Sequence, residues 1–419
     1  REAACGPDHV DVAQCSNALG LALAGLGRHA EAERYHKRAL TIREQELGTQ
    51  WHRDVAESKH NLAVLAKQQG QYQRAEVLYQ EAIHIRETVV GANSPEVAQS
   101  LHNLGLLYKK SSTLERAKAP LLRALEIREA GLGADHPDVA NSCTSIGLLY
   151  VKQAEFSMAE DMFMRALGIR EKAYGRQVCI AESCHQLGHV LKMQGKYEDA
   201  ETHFLRGIGL HEQALGANHQ QVGVGMNNMG LLMKTIGRYD EAEVWYRKAM
   251  KVLEQACNKN TSQLIATSLM NIGAMKIASG IPNEGVSLIA EGIVMKQRFL
   301  GNEHASVVKA QTNLGQLLDD LGNFEQARLV QDGVFSLNSI CIGDCSPQLS
   351  PQNLEMSFEG IQTEPHYKAS CQYLPPLPEH SLKLPALQIH QQHPKAHRAR
   401  GSISLKSDWQ PIPGWDVDS

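Results

Sequence analysis

The sequence predicts an all-α protein built from stacked helix pairs, and three observations support this fold class. A pattern of about 42 residues recurs eight times, and a repeat of that length is typical of a solenoid or propeller. Within each repeat, apolar residues recur at helical spacing, and no useful length of chain alternates with a period of two. One position of the repeat always holds a small residue, and its occupants lie 41 to 43 residues apart: Gly20, Ala63, Gly105, Gly147, Gly188, Gly230, Gly273 and Gly315.

The first helix of each repeat is predicted from an apolar stripe, as at Ala98, Leu101, Leu104 and Tyr108. Residues three and four positions apart lie on the same face of a helix, so this stripe can pack against a neighbour. A short turn follows, as at Gly70-Gln71-Tyr72 in repeat two. Glycine just past a helix end accommodates the left-handed cap, and the turn therefore marks the helix end.

The second helix carries its own stripe, which in repeat two contains Ala75, Tyr79, Ala82 and Ile85. The alanines are small, so they allow neighbouring helices to approach closely. A longer loop follows in repeat three, Leu132–Pro137, and its proline suits the entrance of the next helix. Each repeat is therefore one helix pair.

These residues resemble the tetratricopeptide repeat, in which a Leu-Gly or Leu-Ala pair and a tyrosine mark the first helix. In the same motif, two alanines with an aromatic residue between them mark the second helix. The 42-residue period and the run from Ala124 to Pro137 resemble the subclass found in kinesin light chains and nephrocystin-type proteins. The resemblance covers residues 1 to 337. It implies an α-solenoid, a right-handed superhelix of helix pairs whose first helices line the inner wall.

The domain organisation follows from this register. Residues 1–9 are predicted to be the end of a preceding repeat, because Arg1 to Gly6 matches Arg43 to Gly48, and we expect at least one further repeat upstream. Residues 10–337 form the eight repeats. Residues 338–419 are predicted to be a disordered tail rich in Pro, Ser, His and Gln, because ten of the 15 prolines lie between Pro347 and Pro413.

Composition excludes several classes of protein. The chain has 419 residues and a formal net charge of −4, which disfavours a nucleic-acid binder, because phosphates demand a basic excess. No run approaches 18 consecutive apolar residues, so no membrane insertion is expected. The nine scattered cysteines do not form a disulfide framework, which favours a reducing compartment and a cytoplasmic location.

A row of polar residues along the first helices is the candidate binding site. The position two before the small residue is asparagine in five of eight repeats, and a lysine recurs near the end of the same helix. An amide can bond a peptide backbone as donor and acceptor, and lysines attract carboxylates. The resemblance implies peptide contacts for Asn61, Asn103, Asn228, Asn271 and Asn313. The lysines expected beside them are Lys67, Lys109, Lys110, Lys152, Lys192 and Lys234. The alternative is that the asparagines bond only the neighbouring helix and the lysines are a solvated face.

Catalytic and metal sites are not predicted. His185 and His189 share a helix face beside Cys184, but further ligands for a metal are not evident. Cys341 and Cys345 form a lone pair without a second cysteine pair. No Ser/His/Asp set, carboxylate pair or phosphate-binding loop is present, so neither an enzyme nor a cofactor is expected.

Two hypotheses for function come from different classes. The first is a non-enzymatic scaffold or adaptor that binds short, acidic segments of partner proteins in a concave groove. The resemblance implies cargo adaptor work as in kinesin light chains, with cytoskeletal association, or a nephrocystin-type scaffold at the cilium. The second hypothesis is the regulatory sensor array of a larger signalling ATPase whose catalytic domain precedes Arg1.

Two further expectations concern the far end of the chain. Trp409 and Trp415 lie beside aspartates in the tail, so the tail itself is a candidate ligand of the lysine-rich groove. Repeat seven is expected to be the least stable repeat, because Gly285 and Gly292 replace alanines in its second helix. Each such replacement costs about 0.5–1 kcal/mol of helix stability.

Overall fold

The computed structural model describes residues 6–173, 177–256 and 261–331. These residues form sixteen α-helices and contain no β-strand, which confirms the all-α prediction. No helix in this part of the chain is long and apolar enough to cross a membrane. The predicted tail, with Cys341, Cys345, Trp409 and Trp415, lies outside the described residues, as does the end of repeat eight after Gln331.

The helices form eight consecutive pairs, one pair for each sequence repeat. The first helices are α1 Val10–Gly25, α3 Arg53–Gln68, α5 Pro95–Lys110, α7 Pro137–Lys152, α9 Gln177–Met193, α11 Gln220–Thr235, α13 Thr261–Ala278 and α15 Ala305–Asp320. The second helices are α2 His29–Leu47, α4 Tyr72–Val90, α6 Leu114–Leu132, α8 Phe156–Lys172, α10 Tyr197–Leu215, α12 Tyr239–Gln255, α14 Pro282–Leu300 and α16 Phe324–Gln331. Each helix packs mainly against its chain neighbours, and first helices of most adjacent repeats also touch.

Histidine is the usual N-cap of the first helices. In α3 the backbone N–H of Asp54 donates to His52 Nδ1 over 3.1 Å, and in α7 that of Asp138 donates to His136 Nδ1 over 3.1 Å. A side-chain acceptor at this position satisfies one of the backbone N–H groups that a helix start leaves unpaired. The histidine of the His-Pro run therefore has a structural role, which the sequence alone did not reveal.

The turn inside each pair places one residue in the left-handed region of φ. Glycine occupies it in six of the eight repeats, as at Gly70 with φ 76°. Ser112 and Ala154 occupy it in repeats three and four, with φ 62° and 59°. A side chain at positive φ is strained, because Cβ crowds the carbonyl oxygen, so repeats three and four have the less favourable turns.

Small residues let the two helices of a repeat approach closely. A Cβ atom added at Gly147 in α7 would lie 2.8 Å from Phe163 Cε1 in α8. In repeat seven the approach is closer still, since a Cβ at Gly285 would lie 2.5 Å from the backbone oxygen of Gly273. Gly285 is therefore a packing requirement as well as a helix-weakening residue. The expected low stability of repeat seven stays a prediction.

Candidate functional site

The five predicted asparagines all lie on first helices. Asn61, Asn103, Asn228 and Asn313 are half-buried, and Asn271 is 1% exposed. The helical register places them at equivalent points of successive repeats, because the stripe of the core repeats with the same period. An amide that is half-buried can bond a neighbour and still meet a ligand at the surface.

Three of these amides bond the first helix of the preceding repeat. Asn61 Nδ2 donates to Asn17 Oδ1 over 3.0 Å, and Asn271 Nδ2 donates to Asn227 Oδ1 over 3.4 Å. Asn103 Nδ2 lies 3.2 Å from His60 Nε2. The neighbour-helix contacts of the alternative interpretation are thus present. Each bond uses the NH₂ end of the amide, and a primary amide has a second N–H and a carbonyl oxygen that can serve a peptide.

The six predicted lysines differ in burial. Lys67, Lys109 and Lys192 are half-buried and Lys234 is 9% exposed, whereas Lys110 and Lys152 are exposed. The half-buried and buried lysines occupy the same position of repeats two, three, five and six. Lys152 Nζ donates to the backbone oxygen of Lys109 over 3.4 Å, which brings the exposed lysine of repeat four to repeat three.

Burial gives the lysines of repeats five and six unusual electrostatics. It lowers the pKa of Lys192 to about 8. Burial and, to a smaller extent, the positive charge of Lys192 together lower the pKa of Lys234 to about 8. Desolvation and a like charge both disfavour the ammonium form. An anion bound beside either ammonium group would stabilise its charged form.

An arginine on each of the first four second helices ties its repeat to the next one. Its guanidinium donates to a backbone oxygen near the start of the following helix and to a serine hydroxyl one turn later. In repeat two, Arg86 Nη1 donates to the Glu96 oxygen over 2.6 Å and to Ser100 Oγ over 2.7 Å. We call this arrangement the arginine latch, and its Arg–Ser pairs are Arg43 with Ser58, Arg86 with Ser100, Arg128 with Ser142 and Arg170 with Ser183.

In the sequence these arginines are visible only as part of the repeated pattern, as in the match of Arg1 to Gly6 with Arg43 to Gly48. The signal that could have revealed the latch is a serine 13 to 15 residues after each arginine. Arg86 is 4% exposed, and a buried charge is tolerated when hydrogen bonds surround it. The latch therefore belongs to the structural support of the candidate face and not to its ligand contacts.

Cys184, His185 and His189 of repeat five, the candidate metal ligands, lie in an environment that keeps them neutral. Burial lowers the pKa of His185 to about 3 and of His189 to about 4, and it raises the pKa of Cys184 to about 11. The described part of the chain contains no group of three or more His, Cys, Asp or Glu side chains that could hold a metal ion. These residues are thus neutral groups of the helix packing at neutral pH.

Comparison with known proteins matches the chain to repeat families. A family model of the tetratricopeptide repeat matches residues 1–45, 54–130, 114–172 and 178–255, which together make up more than half of the chain. A second tetratricopeptide repeat model matches residues 308–340. A search of curated proteins finds no match.

Solved structures show the same fold at low sequence identity. The apo form of RapI is 13% identical with a TM-score of 0.53, over 68% of this chain and 97% of that one. Aspartyl phosphate phosphatase F from Bacillus subtilis is 13% identical with a TM-score of 0.51, over 73% and 76%. TPR-like repeats from Podosopora anserina that carry the name kinesin light chain are 19% identical with a TM-score of 0.44, over 47% and 93%.

Proposed function

Because the chain belongs to the tetratricopeptide repeat family, we propose that it is a non-enzymatic scaffold that binds short acidic peptide segments along its first helices. Tetratricopeptide arrays generally serve as protein-interaction modules. The observation that carries the acidic preference is the lysine pair Lys192 and Lys234, whose pKa values burial lowers to about 8. A carboxylate beside them would relieve the cost of holding two ammonium groups out of water.

The asparagine amides provide the part of the site that contacts the peptide backbone and is therefore independent of the peptide's own sequence. Asn61 and Asn103 are held by bonds to the preceding repeat, which fixes their orientation before a ligand arrives. A pre-oriented side chain loses less freedom on binding, so the bonds between repeats favour affinity. In this proposal an extended peptide lies across successive first helices, with its backbone at the amides and its acidic side chains at the lysines.

The resemblance to kinesin light chains supports a finer form of the proposal. The scaffold would be a cytoplasmic adaptor that links cargo proteins to the cytoskeleton through such peptides. The acidic, tryptophan-containing tail is an additional candidate ligand, because it carries aspartates beside Trp409 and Trp415. It would compete with partner peptides for the same lysines.

The experiment uses the full chain and peptides from a displayed random dodecapeptide library. We expect selection to enrich acidic peptides, whose affinity is then measured by fluorescence anisotropy. Lys192→Gln with Lys234→Gln should weaken binding about tenfold or more, because it removes charge pairs in a desolvated place. Affinity should also fall between pH 7 and pH 9, as lysines with a pKa of about 8 lose their charge.

The matched control is Lys37→Gln with Lys172→Gln. It removes the same charge from second helices, where the two lysine side chains are 60% and 68% exposed. It should leave affinity within about twofold, because exposed charges contribute little. Enrichment of uncharged or basic peptides, or equal losses in both double variants, would contradict the proposal.

A further inference from the structure

The junction between repeats five and six lacks the arginine latch. The latch arginine is replaced by His211 in α10, and the latch serine is replaced by Gly225 in α11. His185 of α9 occupies the same repeat position as His60 of α3. His60 Nδ1 bonds Ser100 Oγ over 3.0 Å, whereas His185 faces a glycine in place of that serine.

Two imidazole rings fill the place of the latch. The ring centroids of His185 and His211 lie 5.3 Å apart with the ring planes at 23°, so the rings are stacked. A Cβ atom at Gly225 would lie 2.7 Å from the His185 ring, and one at Gly207 would lie 2.8 Å from it. Helices α10 and α11 thus close on the ring of His185 through two glycines.

All four ring nitrogens of this pair are shielded from solvent and find no hydrogen-bond partner among the described residues. His211 is 2% exposed. A buried polar group without a partner destabilises the closed state, because it has given up its bonds to water. The junction therefore leaves four buried ring nitrogens without hydrogen bonds from the described residues, whereas in the latches of Arg43 and Arg86 only Nε lacks a partner.

The charged and titratable groups around His185 and His211 do not favour protonation of either ring. Burial and, to a smaller extent, His219 in the loop before α11 lower the pKa of His211 to about 4. On α9, burial keeps His189 neutral by lowering its pKa to about 4. Burial raises the pKa of Glu182 on the same helix, and the positive charge of Arg170 in α8 opposes this rise. Burial also raises the pKa of Glu212 on α10. Helix α11 presents Gly225 to the rings and adds no charge there.

We propose that the junction between repeats five and six is an acid-sensitive hinge, at which protonation of His185 and His211 separates α10 from α11 while the latched junctions stay closed. Both rings are neutral in the closed junction and regain an ordinary affinity for protons in water. With two protons taken up on opening, the open population rises about 100-fold between pH 7.5 and pH 5.5. The latched junctions resist, because opening them also breaks bonds of a buried guanidinium.

The experiment compares thiols at one repeat position. Cys143 and Cys184 each lie four residues before the small residue of their repeat, and both are fully buried. Met226 holds this position in repeat six and is 4% exposed. In the full-length variant Met226→Cys, the three thiols are labelled with 4,4′-dithiodipyridine at pH 7.5 and 5.5 and located by peptide mass spectrometry. The thiol at position 226 reports the junction between repeats five and six.

We expect labelling at position 226, relative to Cys184 in the same molecule, to rise about 100-fold as the pH falls to 5.5. Adding His211→Leu should cut this rise to about tenfold, because only the His185 proton remains. Leucine already stands at the equivalent position as Leu253, which is fully buried, so this change is compatible with the packing. Circular dichroism at both pH values establishes that the helices remain.

The control His189→Gln removes a half-buried histidine of α9 that lies outside the stacked pair. It should leave the 100-fold rise unchanged. Parallel acceleration of position 226 and Cys184 would show general acid unfolding and overturn the hinge. A selective rise that His211→Leu leaves at its full size would overturn the assignment to this pair.

Discussion

The four junctions that join repeats one to five are held differently from the three that join repeats five to eight. The first four use the arginine latch, a guanidinium bonded to a serine and a backbone oxygen, which is buried at Arg43, Arg86 and Arg170 and half-buried at Arg128. The equivalent pairs in the later junctions are His211 with Gly225, Leu253 with Ser268, and Lys296 with Ala310. One repeat motif is therefore stacked by two kinds of contact.

The difference shows what a polar junction requires. A buried charge is costly unless hydrogen bonds compensate for its lost hydration, and each of the four arginines has both a serine and a carbonyl partner. At the junction between repeats six and seven, Ser268, the equivalent of the latch serine, donates to Asn227 Oδ1 over 3.1 Å. Leu253, which replaces the arginine, packs against Gly223 of its own repeat, where an added Cβ would lie 2.7 Å from Leu253 Cγ. Apolar packing of this kind has no partner to lose and does not respond to pH.

Low pH should produce the largest difference in stability between repeats one to five and repeats six to eight. Burial lowers the pKa of His36 to about 4, of His60 to about 3 and of His211 to about 4. The unfolded chain therefore binds more protons below pH 6.5. Stability is fully present above that pH and is lost as the pH falls towards the folded-state values. By pH 5 each of these histidines costs about 2 kcal/mol.

The measurement is hydrogen exchange of the full chain at pH 8 and pH 5, corrected for the intrinsic exchange rate. After the junction between repeats five and six has opened, repeats one to five should lose protection before repeats six to eight, because the equivalents of His60 in repeats six to eight are Asn227, Met270 and Thr312. Loss of protection in repeats six to eight before repeats one to three would break the comparison.

The latch itself is tested by Arg86→Leu, which copies the leucine of repeat six into repeat two. We expect a loss of about 2–3 kcal/mol in the free energy of unfolding, because two charge-assisted hydrogen bonds disappear. Urea denaturation followed by circular dichroism measures it. Arg74→Leu is the control, since this partly exposed arginine pairs with Glu33 over 2.8 Å and should cost less than about 1 kcal/mol. Equal losses from both variants would refute a special role for the latch.

Gly285→Ala sharpens the view of the later repeats. Helix propensity favours alanine, but the new Cβ would meet the backbone oxygen of Gly273 at 2.5 Å. Overpacking of this kind should cost about 1–3 kcal/mol. Gly168→Ala in α8 is the matched control, because nothing lies within 4 Å of its added Cβ, and it should gain about 0.5–1 kcal/mol. Thermal unfolding measures the stability of both variants. Stabilisation by Gly285→Ala as well as by Gly168→Ala would show that the helices of repeat seven can accommodate the added methyl group.

Ser112→Gly gives the smallest expected effect. Ser112 has a φ of 62° where most repeats have glycine, so relief of this strain should stabilise the protein by about 1 kcal/mol. Differential scanning calorimetry reads the change as a higher melting temperature. The converse change, Gly195→Ala at the same turn position with φ 78°, should lower it. If Ser112→Gly left the melting temperature unchanged while Gly195→Ala lowered it, the positive φ of Ser112 would not be a source of strain in repeat three.

Most of the helical architecture was predictable because its signals are local. The stripe of Ala98, Leu101, Leu104 and Tyr108 identifies α5, and all four residues are buried in the structure. Gly70 marks the end of α3 through its backbone conformation. Eight copies of one local pattern then determine how many helix pairs there are, since no copy can bury its apolar face alone.

The positions of the candidate binding residues on the first helices were predictable, whereas their hydrogen bonds and burial were not. Repeat register places Asn61, Asn103 and Lys192 on first helices, because side chains at equal positions share a face. Register does not disclose that Asn61 bonds Asn17, a residue 44 positions away, or that Lys234 is nearly buried while Lys110 is exposed. Those properties depend on how one repeat packs against the next.

By itself, the sequence determined the helix pairs, their turns and their number, since periodicity and glycine act within a few residues of chain. Only the tertiary structure decided how the junctions are held, because the partners are brought together by packing. His185 and His211 lie 26 residues apart in the chain, yet their rings stack at 5.3 Å. Whether a buried arginine or histidine stabilises a junction depends on its hydrogen-bond partners, and those belong to another repeat.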